Sequence, residues 1–485
     1  MSAMPRLNPL AFCLAAALAL ASPIAEAANL TVINCNDSGA GSLRSAIASA
    51  ASTGPGDTVV FDTAQMGCST ITLTSGQIAI DAAEITLQGP TTSTLTIGGF
   101  HASRVFFDYG ADHNRKLTIN NLTIANGTMQ GSFPSAILQG GCILASGDVI
   151  LSASTVTGCV VDNVDPTGDA AGGAVASYKL HMQNSVISNN QAYGYTNALG
   201  GGAFTQDEMM VRSSLISGNK SAGLSNPFAS GGGLASQNFF GAGAGGIQIV
   251  SSTISGNESD FGGGVAMLYG SSSRAITIDH STISGNQAHR YSGGVHIYAN
   301  TSTPNITANI VDSTISGNHS FGTIGGVYNN GTLTVSNSTI AFNRADSGVF
   351  NVNYAEAAGL YTRVATLQSS IIANNTVGVS TESDLNGPTG PTMLGSNNLI
   401  MATLTGTTAP AGTLIGDPLL GALADNGGPT LTRALLNGSP AIGTGNNLAN
   451  LASDQRGPGF GRATYGKTDI GAFQTGDGIF RDGFQ

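Results

Sequence analysis

The sequence is 485 residues long, with a formal net charge of −11, 68 glycines, no tryptophan and only 9% charged residues. The acidic balance and the lack of a basic patch exclude wholesale electrostatic binding to nucleic acid or an anionic bilayer, and an apolar fraction of 41% excludes a disordered chain. A glycine-rich, charge-poor chain favours stacked polar turns over a helical or doubly wound fold, and a solenoid adds length without enlarging any one core.

Residues 1–27 combine Arg6, an apolar run through Leu10–Ala21 and the small-residue site Ala25-Glu26-Ala27, the parts of a secretory signal cleaved after Ala27. The run is short for a bilayer-spanning helix of about 20 residues, and no later stretch is long and apolar enough to make one. Cleavage removes Cys13 and leaves four cysteines for an oxidising compartment. Of the three pairings open to them, Cys35–Cys68 with Cys142–Cys159 is favoured, because each pair stays within one local segment. Long spacings without an accompanying histidine pattern argue against a metal site.

Residues 28–114 read as an amino-terminal cap and first coils. Leu30–Ile33 is a strand. Ser42 is placed to cap a helix over Gly41–Ala48, and Leu43, Ala46, Ile47 and Ala50 share its apolar face. Such a helix covers the open end of a strand stack. Gly54-Pro55-Gly56-Asp57 breaks the chain before Thr58–Phe61, and Ile71–Leu73, Ile78–Ile80, Ile85–Leu87 and Leu95–Ile97 continue as short strands. In order, Cys35-Asn36-Asp37, Gly41-Ser42-Leu43-Arg44-Ser45-Ala46-Ile47, Gly56-Asp57-Thr58-Val59 and Cys68-Ser69-Thr70-Ile71-Thr72-Leu73 resemble the amino-terminal signature of secreted bacterial right-handed parallel β-helix proteins of the choice-of-anchor Q type. The resemblance implies fold and export and says little about chemistry.

Residues 115–380 are repetitive. The phrase Ser252-Thr253-Ile254-Ser255-Gly256-Asn257 returns at Ser281–Asn286 and Ser313–Asn318, and its central apolar residue marks nine copies: Ile124, Val156, Ile187, Ile216, Ile254, Ile283, Ile315, Ile340 and Ile371, spaced by 25 to 38 residues. A second phrase, Gly-Gly-small-apolar, alternates with it, as in Gly172-Gly173-Ala174-Val175, Gly201-Gly202-Ala203-Phe204 and Gly262-Gly263-Gly264-Val265. The double glycine reads as a tight turn or a close backbone approach. Asn126, Asn219, Asn257, Asn286, Asn318, Asn343 and Asn374 are predicted to stack as an amide ladder at the strand spacing of about 4.8 Å. The two phrases together resemble the tetrapeptide repeats of chlamydial polymorphic outer membrane proteins, whose β-helical passenger regions are adhesive. Those proteins finish in a membrane β-barrel, for which the residues after Asn374 are too few and too rich in Gly and Pro.

Four of the seven histidines, His280, His289, His296 and His319, fall within 40 residues of one another. In repeat register His280 and Asp312 stack on adjacent coils. As a catalytic group, His280 and Asp312 would form a general base beside Arg290, which would neutralise a uronate carboxylate, making a polysaccharide lyase or glycoside hydrolase. As a ligand-binding face, His296, Tyr328 and Tyr361 form an outward aromatic column, with Tyr291, His289 and His319 beside it, offering flat rings to a sugar or a protein. An exposed polar sheet without a ligand accommodates the same residues. Coil lengths point to the same place: the connection from the marker to the next Gly-Gly phrase shortens after Ile254, Ile283 and Ile315, while the opposite connection lengthens in the coils starting at Gly233, Gly264 and Gly294, which predicts a groove. Asp162, Asp165 and Asp169 are read as a solvated loop rather than a calcium site.

Residues 381–485 change character. Asp425-Asn426-Gly427-Gly428-Pro429-Thr430, Gly438-Ser439-Pro440-Ala441-Ile442-Gly443, Asp454-Gln455-Arg456-Gly457 and Asp469-Ile470-Gly471-Ala472-Phe473-Gln474 resemble the choice-of-anchor Q region, with Gly443 and Gln474 departing from its usual acidic residues. They read as a carboxy-terminal cap with an Asp454–Arg456 ion pair. The tail Gly478–Gln485 resembles short terminal sorting tags of Gram-negative secreted proteins. The whole predicts an all-β, single-stranded right-handed parallel β-helix of ten to twelve coils, exported to the medium or outer surface of a Gram-negative cell, that binds a polysaccharide or cell-surface glycan in adhesion, without cofactor, metal or catalysis. A carbohydrate-active enzyme is the alternative and a structural envelope component the third reading.

Overall fold

Apolar residues at a period of two leave each short strand one face for a core, and stacking coils brings like residue onto like. The computed structural model describes residues 27–476 apart from 54–55, 109, 111, 224–227, 239–244, 269–272, 300–305, 347–356 and 389. The export signal through Glu26 and the tail Gly478–Gln485 lie outside the described residues, as do most of the lengthened connections. In a central coil Val265–Leu268 and Arg274–Asp279 lie in a first sheet, Thr282–Ser284 in a third and Gln287–Tyr291 in a second. The next coil lays Val295–Tyr298, Ile306–Val311, Thr314–Ser316 and His319–Ser320 parallel beside them. Among the described residues the three sheets hold 22, 14 and 12 strands. The third has one strand per coil, from Thr70–Thr72 to Leu399–Ile400, and its 12 strands define about eleven turns of a parallel β-solenoid.

The recurring phrase is a set of backbone instructions. A left-handed corner residue precedes it, as at Ser251, His280, Asp312 and Asn337 with φ of 48°, 48°, 39° and 48°. The following serine is buried, and its hydroxyl accepts the amide of the serine one coil earlier: Ser252 N donates to Ser281 Oγ, Ser281 N to Ser313 Oγ and Ser313 N to Ser338 Oγ, at 3.1–3.2 Å. The isoleucine points inward, with Ile254, Ile283, Ile315 and Ile340 in direct register. A second left-handed residue, Gly256, Gly285 or Gly317, then turns the chain into the asparagine. Each buried asparagine oxygen accepts both the backbone and side-chain nitrogens of the asparagine one coil earlier, at 2.9–3.1 Å, from Asn190 through Asn219, Asn257, Asn286, Asn318 and Asn343 to Asn375.

Three registers differ from those expected. Asn126 and Asn374 are not rungs of the ladder; with φ of 53° and 57° they take the left-handed turn that glycine fills elsewhere, a conformation asparagine tolerates. Asn190 and Asn375 are rungs instead, and Asp384 closes the ladder by accepting from Asn375. The last marker is Ile372, which pairs with Ile340. Its neighbour Ile371 faces outward into a separate apolar cluster with Leu435, Ala441 and Ile470, and a tandem isoleucine cannot reveal which member is inside. Likewise Val175 pairs with Ala203, so Phe204 faces outward; the triplet Gly200–Gly202 obscured the register, which Gly200 sets at φ 62°. The double glycine is a close approach: a Cβ on Gly232 would meet the oxygens of Glu258 and Gly263 at 2.4 and 2.5 Å.

The two ends are finished differently. The helix Leu43–Thr53 is capped by Ser42, whose Oγ accepts from Ser45 N at 3.2 Å, and it buries Leu43, Ala46, Ile47 and Ala50. Cys35–Cys68 and Cys142–Cys159 are both bonded. At the far end Leu414 bridges Leu399 and accepts from Ile400 N, closing the last coil. The chain then forms a hairpin, Leu420–Ala424 with Thr432–Leu435, and runs back along the outside of the third sheet. There Thr282 Oγ1 donates to Leu431 O, Thr314 Oγ1 donates to Gln455 Oε1, and Thr339 Oγ1 accepts from Ala472 N. The carboxy-terminal region therefore covers a face as well as an end. Among the described residues no helix is long and apolar enough to cross a membrane.

Candidate functional site

A step in the second sheet makes a concavity. In four successive coils the strands Thr128–Gly131, Val160–Asn163, Gln191–Gly194 and Lys220–Gly223 are each followed by another, Ile137–Gln139, Asp169–Ala171, Asn197–Leu199 and Phe228–Ser230. In the next coil the single strand Glu258–Phe261 does the work of both, Glu258 pairing with Lys220 and Phe261 with Ser230. The shortening after Ile254 is this lost strand, and a cleft of about 550 Å³ opens at the step. Asp169, Asn197, Leu199 and Phe228 are among the residues of its wall, and Phe261, Arg290, Tyr291, His296, Tyr298 and Tyr328 are among those that line the rest.

Rings dominate this cleft. Phe261 lies parallel to Phe228 and Tyr291, with centroids 5.8 and 5.4 Å apart. His296 stacks on Tyr328 at 4.8 Å, and Tyr328 on Tyr361 at 5.6 Å, because the three occupy one register position on consecutive coils. Their order is as expected, but their exposure is not. His296, Tyr328 and Tyr361 are buried; His296 and Tyr328 line the cleft, and Tyr361 continues the column beside Ile324 and Ala357, so the column is not an open strip. Burial pushes the His296 imidazole down to about 3, leaving it neutral, with Nδ1 3.2 Å from Ser292 Oγ. Tyr298 keeps 38% of its surface at the rim.

His289 and His319, expected beside the column, lie on the outer face of the second sheet. His289 Nε2 is 2.9 Å from Glu258 Oε1 and its ring stacks on Phe321, while His319 Nε2 is 3.0 Å from Asp346 Oδ2. Both are held by carboxylates, which also bind Lys220 and Arg344.

His280 and Asp312 do meet on adjacent coils, with Nε2 3.7 Å from Oδ2, but at the corner between the first and third sheets. Arg290 lies on the second sheet and lines the cleft, so the three candidate catalytic groups are not brought together. Asp312 is fully buried beneath the carboxy-terminal segment, where Arg462 Nη1 comes within 3.5 Å of it. Asp454 and Arg456 pair at 2.6 Å in that segment. Asp162, Asp165 and Asp169 accept from separate partners, Gln130, Thr167 and Asn197, and among the described residues no group of three His, Cys, Asp or Glu could hold a metal.

Phe228 and Phe261 are the cleft rings that the repeat pattern does not single out, whereas Tyr298 stands within the histidine-rich cluster. Phe261 and Tyr291 pair directly and stand immediately before the left-handed Gly262 and Ser292. Aligning the coils on that turn, rather than on the double glycine, brings them out.

No family model and no curated protein matches the sequence. Among solved structures, the crystal structure of pectate lyase Pel9A is similar at 13% identity and a TM-score of 0.43, over 94% of this chain and 98% of that one. A likeness at that level says nothing of the chemistry of the cleft.

Proposed function

We propose that the chain is an exported adhesion or glycan-binding protein that takes a sugar chain in the cleft at the coil step, without catalysis. The observation that carries this reading is the cleft itself: stacked rings converge on a concave space with Arg290 and Asn197 at its edge, and flat apolar faces with a few polar groups suit sugar rings. His296, the one imidazole in it, is neutral and hydrogen-bonded and so placed for positioning rather than proton transfer. Export is supported by the two disulfides, which suit an oxidising compartment. The test is retention of the purified chain on neutral and acidic polysaccharides. Tyr298→Ala is expected to weaken retention about tenfold without lowering thermal stability, as loss of one ring contact does, and His280→Ala to leave retention unchanged. Release of unsaturated or reducing-end products by the native chain would overturn the reading in favour of a lyase or hydrolase.

A further inference from the structure

The solenoid closes its own core without residues 419–475: its main apolar cluster ends at Ile400 and Ala409 and contains none of them. That segment is joined to the solenoid by the small cluster around Ile371, by hydrogen bonds to threonine, serine and asparagine groups and to a few backbone atoms, and by charge. The equivalent Thr123, Thr155 and Thr253, on other coils, are half-exposed, whereas Thr282, Thr314 and Thr339 are buried by the segment. At the centre of the interface Asp312 from the solenoid and Arg462 from the segment, both fully buried, approach at 3.5 Å. Both Asp312 oxygens, and Nε and Nη1 of Arg462, lack a hydrogen bond. A buried pair whose polar atoms are left unsatisfied is a poor permanent fastening, since its attraction barely offsets the loss of water.

We infer that residues 419–475 form a flap over the third sheet, latched by His280, Asp312 and Arg462, which docks at acid to neutral pH and loosens as the medium turns alkaline. This does not depend on what occupies the cleft. The charged groups facing the latch are Asp279, His280 and Asp312 from the solenoid and Asp454, Arg456, Arg462 and Asp469 from the flap. Burial pushes the Asp312 carboxyl up to about 7, against the pull of Arg462 and His280. Burial alone would lower His280, but the hydrogen bond that its Nδ1 donates to Asp279 Oδ1 and the charges of Asp279, Asp312 and Asp454 outweigh it, and the imidazole is raised. Arg462 is pushed down by burial, yet arginine stays protonated in proteins. Both titrating groups thus hold a proton more tightly when docked than in water. Their contribution to docking is full below their ordinary values and is lost as pH rises through about 7 for Asp312 and through the raised value for His280.

Moving one carboxyl from 3.8 to about 7 changes the docked-to-open ratio roughly thirty-fold between pH 5.5 and 8.5. The experiment is amide hydrogen exchange on the full chain at those two values, corrected for intrinsic exchange. Gly471 N, bonded to Ser369 O, and Ala472 N, bonded to Thr339 Oγ1, report the flap; Thr314 N, bonded to Ser281 O inside the solenoid, is the control. Protection of the flap amides is expected to fall about ten- to thirty-fold at pH 8.5 while Thr314 holds. The double variant Asp312→Asn with Arg462→Met removes the buried charges, keeps a residue that tolerates the left-handed corner, and is expected to keep the flap docked with most of the pH response gone. Equal flap protection at both values in the native chain, or an undiminished response in the double variant, overturns the inference.

Discussion

Asn286 does three jobs with one side chain: its oxygen takes both nitrogens of Asn257, its amide reaches Asn318 Oδ1, and it also bonds Ile254 O. Asn286→Ala would leave the buried Asn257 amide N–H and the Ile254 carbonyl without their partner, so a loss of about 1–3 kcal/mol is expected in chemical denaturation. Replacing an exposed counterpart such as Gln248 should change little. The asparagines were legible as a ladder from repetition alone, yet Asn126 and Asn374 were misplaced, because asparagine suits both a buried rung and a left-handed turn and only the register separates the two. His296 belongs to the same scale. Its ordinary value of 6.5 is driven to about 3 by burial, so its contribution to stability is present above 6.5 and is lost as pH falls towards 3. His296→Phe, which keeps a ring on Tyr328, is expected to reduce the destabilisation between pH 6.5 and 4 by about 2–3 kcal/mol in urea titrations. Ligand retention in the native cleft should stay flat from pH 5 to 8.

The coil is the unit at which the site is made. Losing one strand after Phe228–Ser230 turns a continuous wall into a step, and the lost strand is visible in the sequence as a shorter interval after Ile254. The rings at the step were only half visible. His296, Tyr328 and Tyr361 follow a readable register, whereas Phe228 and Phe261 stand at the ends of second-sheet strands whose phase shifts where the coil shortens. The disulfide Cys142–Cys159 belongs to the same unit. Cys159 stands where later coils carry the ladder asparagine, and its amide donates to Asn190 Oδ1 at 2.9 Å, so the bridge starts the ladder. Removing it as Cys142→Ala with Cys159→Ala is expected to lower stability by about 2–3 kcal/mol in denaturant titrations, since the two residues are 17 apart and the closed loop is short.

Across the whole molecule, stacked strands expose unpaired edges only at the ends, and these are covered: by the helix Leu43–Thr53 at one and by Leu414 beside Leu399 and Ile400 at the other. Ile47→Glu, placing a charge on the buried face of the helix, is expected to open the first coil and produce concentration-dependent association in light scattering. Period, composition and turn chemistry by themselves determined the solenoid, its number of coils within one or two, the capping helix with its buried face, and the adjacency of His280 and Asp312, because all of these follow from repetition and local geometry. Only the tertiary structure decided that the carboxy-terminal segment returns over the third sheet and seals Asp312 from water, that Arg290 stands on another face, and that His296 and Tyr328 of the aromatic column line a cleft while Tyr361 is buried. Those outcomes depend on which face of a coil a segment distant in sequence comes to cover, and a short-range pattern carries no record of that contact.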